Sequence, residues 1–280
     1  MLKLEKRPQQ SKKWIYLSPF LAVVITMISG GILFTILGEN PFEAIRIIFW
    51  DPLFDPNFAS YSRPQLLVKA GPLILIAIGL SFGFKAGVWN IGAEGQYIMG
   101  AIFGAGLALA FYPMESKLIF PLMIIAGALG GFLWGMIPAF LKAKLNTNEI
   151  LVSLMLVYVA ESILASVSQG LLKNPDGYGF PGSRNLQKYE SAANVEIISN
   201  SGMHWGVLFA FITVIFSYIV LTRHIQGFNI QLTGEAPRAA KFAGVNPTAN
   251  IVFCLGISGT LAGLAGMFEV AGPSGQITIE

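Results

Sequence analysis

The segment "FKAGVWNIGAEGQYIMG", from Phe84 to Gly100, sets Lys85, Asn90, Glu94 and Gln96 into a chain that is otherwise mostly apolar. If a helix begins near Ile91, Asn90 and Glu94 stand one turn apart and Gln96 lies elsewhere on the helix. Buried polar groups in lipid are costly, so they face a cavity, a partner helix or the membrane boundary. Two roles fit these residues. In one, Lys85 anchors at the cytoplasmic interface while the two amides and the carboxylate satisfy backbone groups where two spans break and meet. In the other, the same groups line or gate a path for a polar solute.

A second polar knot, "LNTNEILVSLML", places Asn146, Asn148 and Glu149 at the start of an apolar run, just after Lys142 and Lys144. Thr147 or Asn148 suits a helix N-cap, and the Glu149 carboxylate suits the positive end of the helix dipole. Asn148 and Glu149 join Asn90, Glu94 and Gln96 as candidate path residues. The third knot is "TGEAPRAAKFAGVNP", from Thr233 to Pro247. Pro237 fits the first turn of a helix, Gly244 the residue just past its end, and Pro247 forbids continuation. The helix of about two turns between them offers Ala239, Ala240 and Ala243 as a small-residue face, flanked by Arg238 and Lys241. Such a helix could lie on the cytoplasmic surface and insert into a groove of another protein. Glu161 and Glu269 also lie within or near the ends of apolar runs, and each could reach an interface.

Other chemistry is poorly supplied. No catalytic residues are expected, because two histidines and one cysteine so placed form no Ser/His/Asp or Cys/His constellation. No metal site is expected from His204 and His224, and Cys254 sits alone in an apolar run. The chain has no GxxxxGK[ST] phosphate loop, so it needs an outside engine for ATP-driven work. A net charge of +3 comes from scattered basic residues without an aromatic-interleaved patch, so no nucleic-acid partner is expected.

The elements that must position these residues are membrane spans. Hydrophobic residues make up 54% of the chain and charged ones 12%, whereas soluble domains carry about 25% charged residues. Apolar runs at Trp14–Leu37, Leu66–Phe84, Ile91–Phe111, Leu118–Leu141, Ile150–Gly170, Trp205–Leu221 and Ala249–Val270 predict an all-α, polytopic transmembrane helix bundle embedded in lipid. Residues 1–13 read as a basic cytoplasmic tail and 14–280 as one membrane domain. With the amino-terminus inside, Lys85, Lys142, Lys144, Arg223, Arg238 and Lys241 all fall on the cytoplasmic side, as the positive-inside rule requires. The Gly/Pro/Ser/Asn-rich stretch of about 171–204 reads as an external loop with room for a short helix. Four-residue spacing of Gly127, Gly131 and Gly135, of Gly100 and Gly104, and of Gly259 and Gly263 predicts closely approaching helix backbones.

Three segments together, "GLSFGFKAGVWNIGAEGQYIMGA", "LNTNEILVSLMLVYVA" and "LTGEAPRAAKFAGVNPTANIVFCLGISGTLAGLAGMFEV", resemble ABC importer permeases of the branched-chain amino acid, simple-sugar and nucleoside group. The likeness is strongest to the bacterial nucleoside-uptake permeases associated with basic membrane lipoproteins. The resemblance implies a multi-pass subunit of the bacterial cell membrane that imports nucleosides, paired with a second permease and fed by an external substrate-binding lipoprotein. It implies no cofactor in this chain, ATP being bound and hydrolysed by a cytosolic ABC ATPase. It also implies an ATPase-coupling segment at Gly234, Glu235, Pro237, Arg238, Ala239, Ala240 and Gly244. Family members continue through further spans after "GPSGQITIE", so this chain is expected to lack the last of them. A simple-sugar permease is the alternative within the class, and a secondary transporter or channel working without an ATPase is the alternative outside it.

Overall fold

An apolar run in lipid folds as a helix because every backbone N–H and C=O must find its partner within the segment itself. The computed structural model of the chain describes residues 11–198 and 201–278; the basic tail with Lys3, Lys6 and Arg7 lies outside them. The helices are α1 (Lys12–Ile36), α2 (Pro41–Ile45), α3 (Asp51–Phe54), α4 (Ala59–Lys85), α5 (Ala93–Ala110), α6 (Ile119–Leu145), α7 (Glu149–Gln169), α8 (Trp205–Arg223), α9 (Ile225–Glu235), α10 (Pro237–Phe242) and α11 (Pro247–Ala271). A π-helical turn joins α2 to α3, and a short 3₁₀ turn, Leu186–Lys188, lies in the long connection before α8. Among the described residues there is no strand, only an isolated bridge between Glu196 and His204.

Six of these helices, α1, α4, α6, α7, α8 and α11, are long and apolar enough to cross a membrane. The seventh expected span needs correction. Helix α5 begins at Ala93, not near Ile91, and its 18 residues open on Ala-Glu-Gly-Gln, too polar to meet the same standard. It belongs to the interior instead, burying Ala93, Gln96, Met99, Gly100 and Ala105 among others. Helix α9 was not legible as a separate element. His224 caps it, its Nδ1 accepting the Gln226 N–H at 3.1 Å, and a one-sided rhythm of Gly227, Ile230 and Thr233 is buried.

The chain divides into two compact units, residues 1–64 and 65–280. In the first, Asn40 caps α2 by accepting the Phe42 N–H at 3.1 Å, Gly31 of α1 stands close to Pro41 and Ile45, and Arg46 pairs with Asp51 at 3.1 Å. The second holds the polar knots and is built around α5, α6 and α11. A Cβ placed on Gly131 of α6 would fall on the Gly259 carbonyl and 2.6 Å from Gly263 Cα of α11; one on Gly100 of α5 would fall on Gly263. The glycine spacing legible in the sequence is therefore a three-helix contact at backbone distance, the packing that lipid favours because apolar side chains alone gain nothing there. Gly100 facing Gly263 and Gly104 facing Met267 set α5 parallel to α11, while Gly127 at Met267 and Gly135 at Leu255 set α6 antiparallel.

These directions gather the connections of the second unit at two ends. At one end lie the turn after α4, the α6–α7 link and the α9–α10 pair, and with them Lys85, Lys142, Lys144, Arg223, Arg238 and Lys241. At the other end, the link between α5 and α6, the loop of 171–204 and residues 272–278 are sewn together. Tyr189 donates to the Met114 carbonyl, Ser116 N–H to Ser191 Oγ at 3.0 Å, and Ser183 N–H to the Ile277 carbonyl at 2.9 Å. His204 starts α8 there, its Nδ1 accepting the Gly206 N–H at 3.1 Å with Asn194 Nδ2 at 2.9 Å. Burial, with the charge of Lys69 behind it, pushes that imidazole down to about 4, so it stays neutral near pH 7. Each histidine is thus occupied as a helix cap.

Candidate functional site

Helix α4 ends at Lys85, and the chain then doubles back: Val88 N–H donates to the Gly83 carbonyl at 3.0 Å. The returning segment carries Asn90 to Ser258 in the middle of α11, so α5 starts deep inside the bundle and not at its end. Asn90 is 3% exposed and Gln96 1%. Asn90 Nδ2 donates to Gln96 Oε1 and to Ser258 Oγ, both at 2.8 Å, and Gln96 Nε2 donates back to Asn90 Oδ1 at 3.2 Å. The same oxygen accepts the Gly92 N–H at 3.1 Å. Two amides so paired satisfy each other and pin the buried turn that leads into α5. Ser153 of α7 completes the turn by accepting the Ile91 N–H at 3.2 Å.

This pairing yields a stability prediction. Gln96→Leu removes the reciprocal partner and strands buried donor and acceptor capacity on Asn90, at a cost of about 1–3 kcal/mol. The thermal midpoint of the detergent-solubilised protein is expected to fall by several degrees, and an unchanged midpoint would contradict the pairing.

Glu94 is placed differently from its two neighbours. The correct helix start puts it in the first turn of α5 with its side chain exposed, on a different face from Gln96. Its depth is fixed by the next residue: a Cβ on Gly95 would stand 3.1 Å from Val157 Cα, in the body of α7, and 3.2 Å from Trp134 Nε1, in the middle of α6. On α7, Tyr158, Glu161 and Ser162 are also exposed. A carboxylate at that depth cannot face acyl chains without a penalty of a few kcal/mol, so this surface meets protein or water.

The second knot is fully engaged. Asn148 caps α7 by accepting the Ile150 N–H at 3.0 Å, and Glu149, buried, pairs with Lys142 at 2.9 Å across the turn that Asn146 makes with φ of +50°. The structure does not bring Asn148 and Glu149 together with Asn90 and Gln96.

The third knot forms as its punctuation implied, with Pro237 opening α10 and Gly244, at φ +80°, turning the chain out of it. One expectation is overturned. Ala240 is 0% exposed and faces inward, so the small-residue face is reduced to Ala239 and Ala243. The outward side carries Pro237, Arg238, Lys241 and Phe242, the last 94% exposed, with Glu235 exposed just before it. Asn250 of α11 holds the preceding α9, donating to Thr233 Oγ1 at 2.9 Å and to the Asn229 carbonyl at 3.2 Å. Gly234 packs directly on the Lys85 carbonyl and on Gly87, at φ +73°. The third knot therefore touches the turn that leads, three residues on, to Asn90. Sequence reasoning missed Phe242, which it saw only as part of a short helix, and missed the Gly87–Gly234 crossing, which joins residues distant in the chain.

Comparison with known proteins places this architecture. The family model described as branched-chain amino acid transport system / permease component matches residues 63–278. The glucose ABC transporter permease protein TsgB13 of Haloferax volcanii is 30% identical, covering 94% of this chain and 70% of the relative. The nucleoside ABC transporter permease protein NupB of Lactococcus lactis is 29% identical over 90% of this chain and 69% of its own length. The guanosine ABC transporter permease protein NupP of Bacillus subtilis is 26% identical over 91% and 72%. No solved structure matches.

Proposed function

Since the chain belongs to the branched-chain amino acid transport system / permease component family and is a multi-pass permease subunit of an ABC transporter, we propose that it imports nucleosides. Such a subunit is a transport component and not an enzyme, and an ATPase partner is implied by the family. The cargo reading is supported by the NupB and NupP likenesses, while the likeness to a glucose permease favours a sugar as the second reading. ATP is bound in the partner, a second permease completes the membrane portion, and an external lipoprotein delivers the solute. The gathering of Lys85, Lys142, Lys144, Arg223, Arg238 and Lys241 at one end supports a cytoplasmic position for that end in a bacterial cell membrane, and the basic residues of the amino-terminal sequence, by the same rule, favour the cytoplasm for that terminus.

One observation carries the path: Glu94 is an exposed carboxylate deep in the bundle. The solute passes along the face of α5 and α7 that carries Glu94, Tyr158 and Ser162, against the second permease. Asn90 and Gln96 shape this wall from behind, their own hydrogen bonds being taken. Docking of the ATPase falls to the end of α9 and to α10, where Glu235, Pro237, Arg238, Ala239 and Phe242 stand outward between the packed Gly234 and the turn at Gly244. A direct test uses Glu94→Cys in a Cys254→Ser background within the assembled transporter. A charged, water-soluble thiol reagent is expected to label position 94, and a saturating nucleoside to slow that labelling severalfold. Lack of reaction at 94, in a protein that reacts normally at Tyr178→Cys in the exposed loop, would remove Glu94 from any aqueous path.

A further inference from the structure

Glu269 sits in the last turn of α11, beside the negative end of the helix dipole, where a carboxylate is disfavoured. Its side chain is only 15% exposed, in a helix whose other residues from Cys254 onward are apolar or small apart from Ser258 and Thr260. The one cation it meets among the described residues, Lys69 of α4 at 3.3 Å, is 68% exposed and so is weakly held. An ion pair of that kind does not account for keeping a charge in an unfavourable place.

What Glu269 does adjoin is a half-open pocket of about 110 Å³ lined by α5, α7, α11 and the segment after α11. Its polar lining comprises Tyr97, Glu269, Ser274, Gln276 and Thr278, and its apolar lining includes Leu164 and Ile277. Tyr97 lines this pocket together with Glu269. It also lies one turn above Glu94 on α5, so the cavity opens from the same helix that carries the exposed carboxylate. The volume is well below the roughly 300 Å³ at which pockets begin to enclose whole drug-sized ligands, and on the scale of a single five-membered ring. A carboxylate that accepts two O–H bonds from neighbouring hydroxyls, with a phenol, an alcohol and an amide around it and aliphatic walls, is the chemistry that grips a sugar ring.

We infer that this cavity is a subsite for the ribose of the transported nucleoside, in which Glu269 accepts hydrogen bonds from the vicinal hydroxyls and Tyr97 and Gln276 meet the ring's remaining polar atoms. The inference rests on the nucleoside reading given above. It assigns Glu269 and Tyr97 to recognition of the sugar and leaves the base to the wider face beyond Glu94.

The test measures uptake by cells expressing the complete transporter, with a radiolabelled nucleoside and its 2′,3′-dideoxy analogue. The wild type is expected to show a KM about tenfold or more higher for the dideoxy compound, because a largely shielded acceptor loses its partners. Glu269→Gln should bring the two KM values together, and Tyr97→Phe should narrow the gap. Lys69→Gln should keep the wild-type ratio, since Lys69 only faces the carboxylate from outside; a Lys69→Gln variant that behaves like Glu269→Gln would reduce Glu269 to an ion-pair partner and overturn the subsite. Should Glu269→Gln fail to reach the membrane, Tyr97→Phe alone decides. A wild type that takes up nucleosides, with a ratio unchanged in both Glu269→Gln and Tyr97→Phe, retires the subsite but not the cargo. A wild type that takes up no nucleoside retires the cargo reading and the subsite with it.

Discussion

Replacing Gly131 by leucine is expected to abolish accumulation of the folded protein, whereas the same change at Gly30 should leave it intact. At Gly131 the first added atom would overlap the Gly259 carbonyl and lie 2.7 Å from Gly263 N, so the obstacles are backbone atoms that no rotamer change can move. Relief requires α6 and α11 to separate, and α5 is held to the same seam through Gly100 and Gly263. Overpacking of a tight core costs typically about 1–3 kcal/mol and more where the backbone must shift, against a total stability of about 5–15 kcal/mol. Gly30, on α1, has nothing within 4 Å of an added Cβ. Membrane-fraction immunoblots and thermal aggregation in detergent compare the two. A Gly131→Leu protein that accumulates and melts like the wild type would refute the three-helix seam.

The second large effect is expected at Phe242. An aromatic ring 94% exposed on a six-residue helix contributes nothing to the fold of this chain, so Phe242→Ala should leave its level in the membrane unchanged. If α10 docks on the ATPase, the same ring becomes a buried anchor, and anchors of this type are worth about 2 kcal/mol or more, enough for a greater than tenfold loss of affinity. The ATPase should then fail to co-purify with Phe242→Ala, and Arg238→Glu should weaken retention further by reversing the flanking charge. Ala240 is a poor probe for the same purpose. It is fully buried, so a bulky charge there would disturb the seat of α10 before it disturbed docking. Retention of the ATPase at wild-type yield by Phe242→Ala would argue against docking through this helix.

The sequence made the helices legible because lipid imposes a length and a composition, and it made the seam legible because glycine at every fourth position has one use in a membrane. The start of α5 was not legible. An amide pair that fixes the turn into a helix inside the bundle leaves no local signal, since the partner of Asn90 is partly Ser258, far along the chain. That error of two residues had consequences: it set Asn90 and Glu94 on one helix face, where the structure turns Asn90 inward to Gln96 and leaves Glu94 exposed. Six of the seven expected spans are helices long and apolar enough to cross a membrane, and the seventh, α5, is central enough to be held by its neighbours, so it tolerates a polar first turn. The punctuation of α10 by Pro237 and Gly244 was readable from backbone chemistry alone, but which of its residues face outward depends on how α9 is tied to α11 by Asn250. The polar character of Glu269 was visible, yet its cavity was not, because Tyr97, Glu269 and Gln276 meet only after three helices have packed.

The most direct measurement reconstitutes this permease with its ATPase, its companion permease and its binding lipoprotein in liposomes and follows a radiolabelled nucleoside. The account predicts accumulation only when ATP is supplied on the face that carries α10, competition by unlabelled nucleosides, and no competition by free ribose, glucose or leucine. Competition by ribose or glucose to the exclusion of nucleosides would move the cargo to sugars, and accumulation that persists without the ATPase would contradict the account at its root.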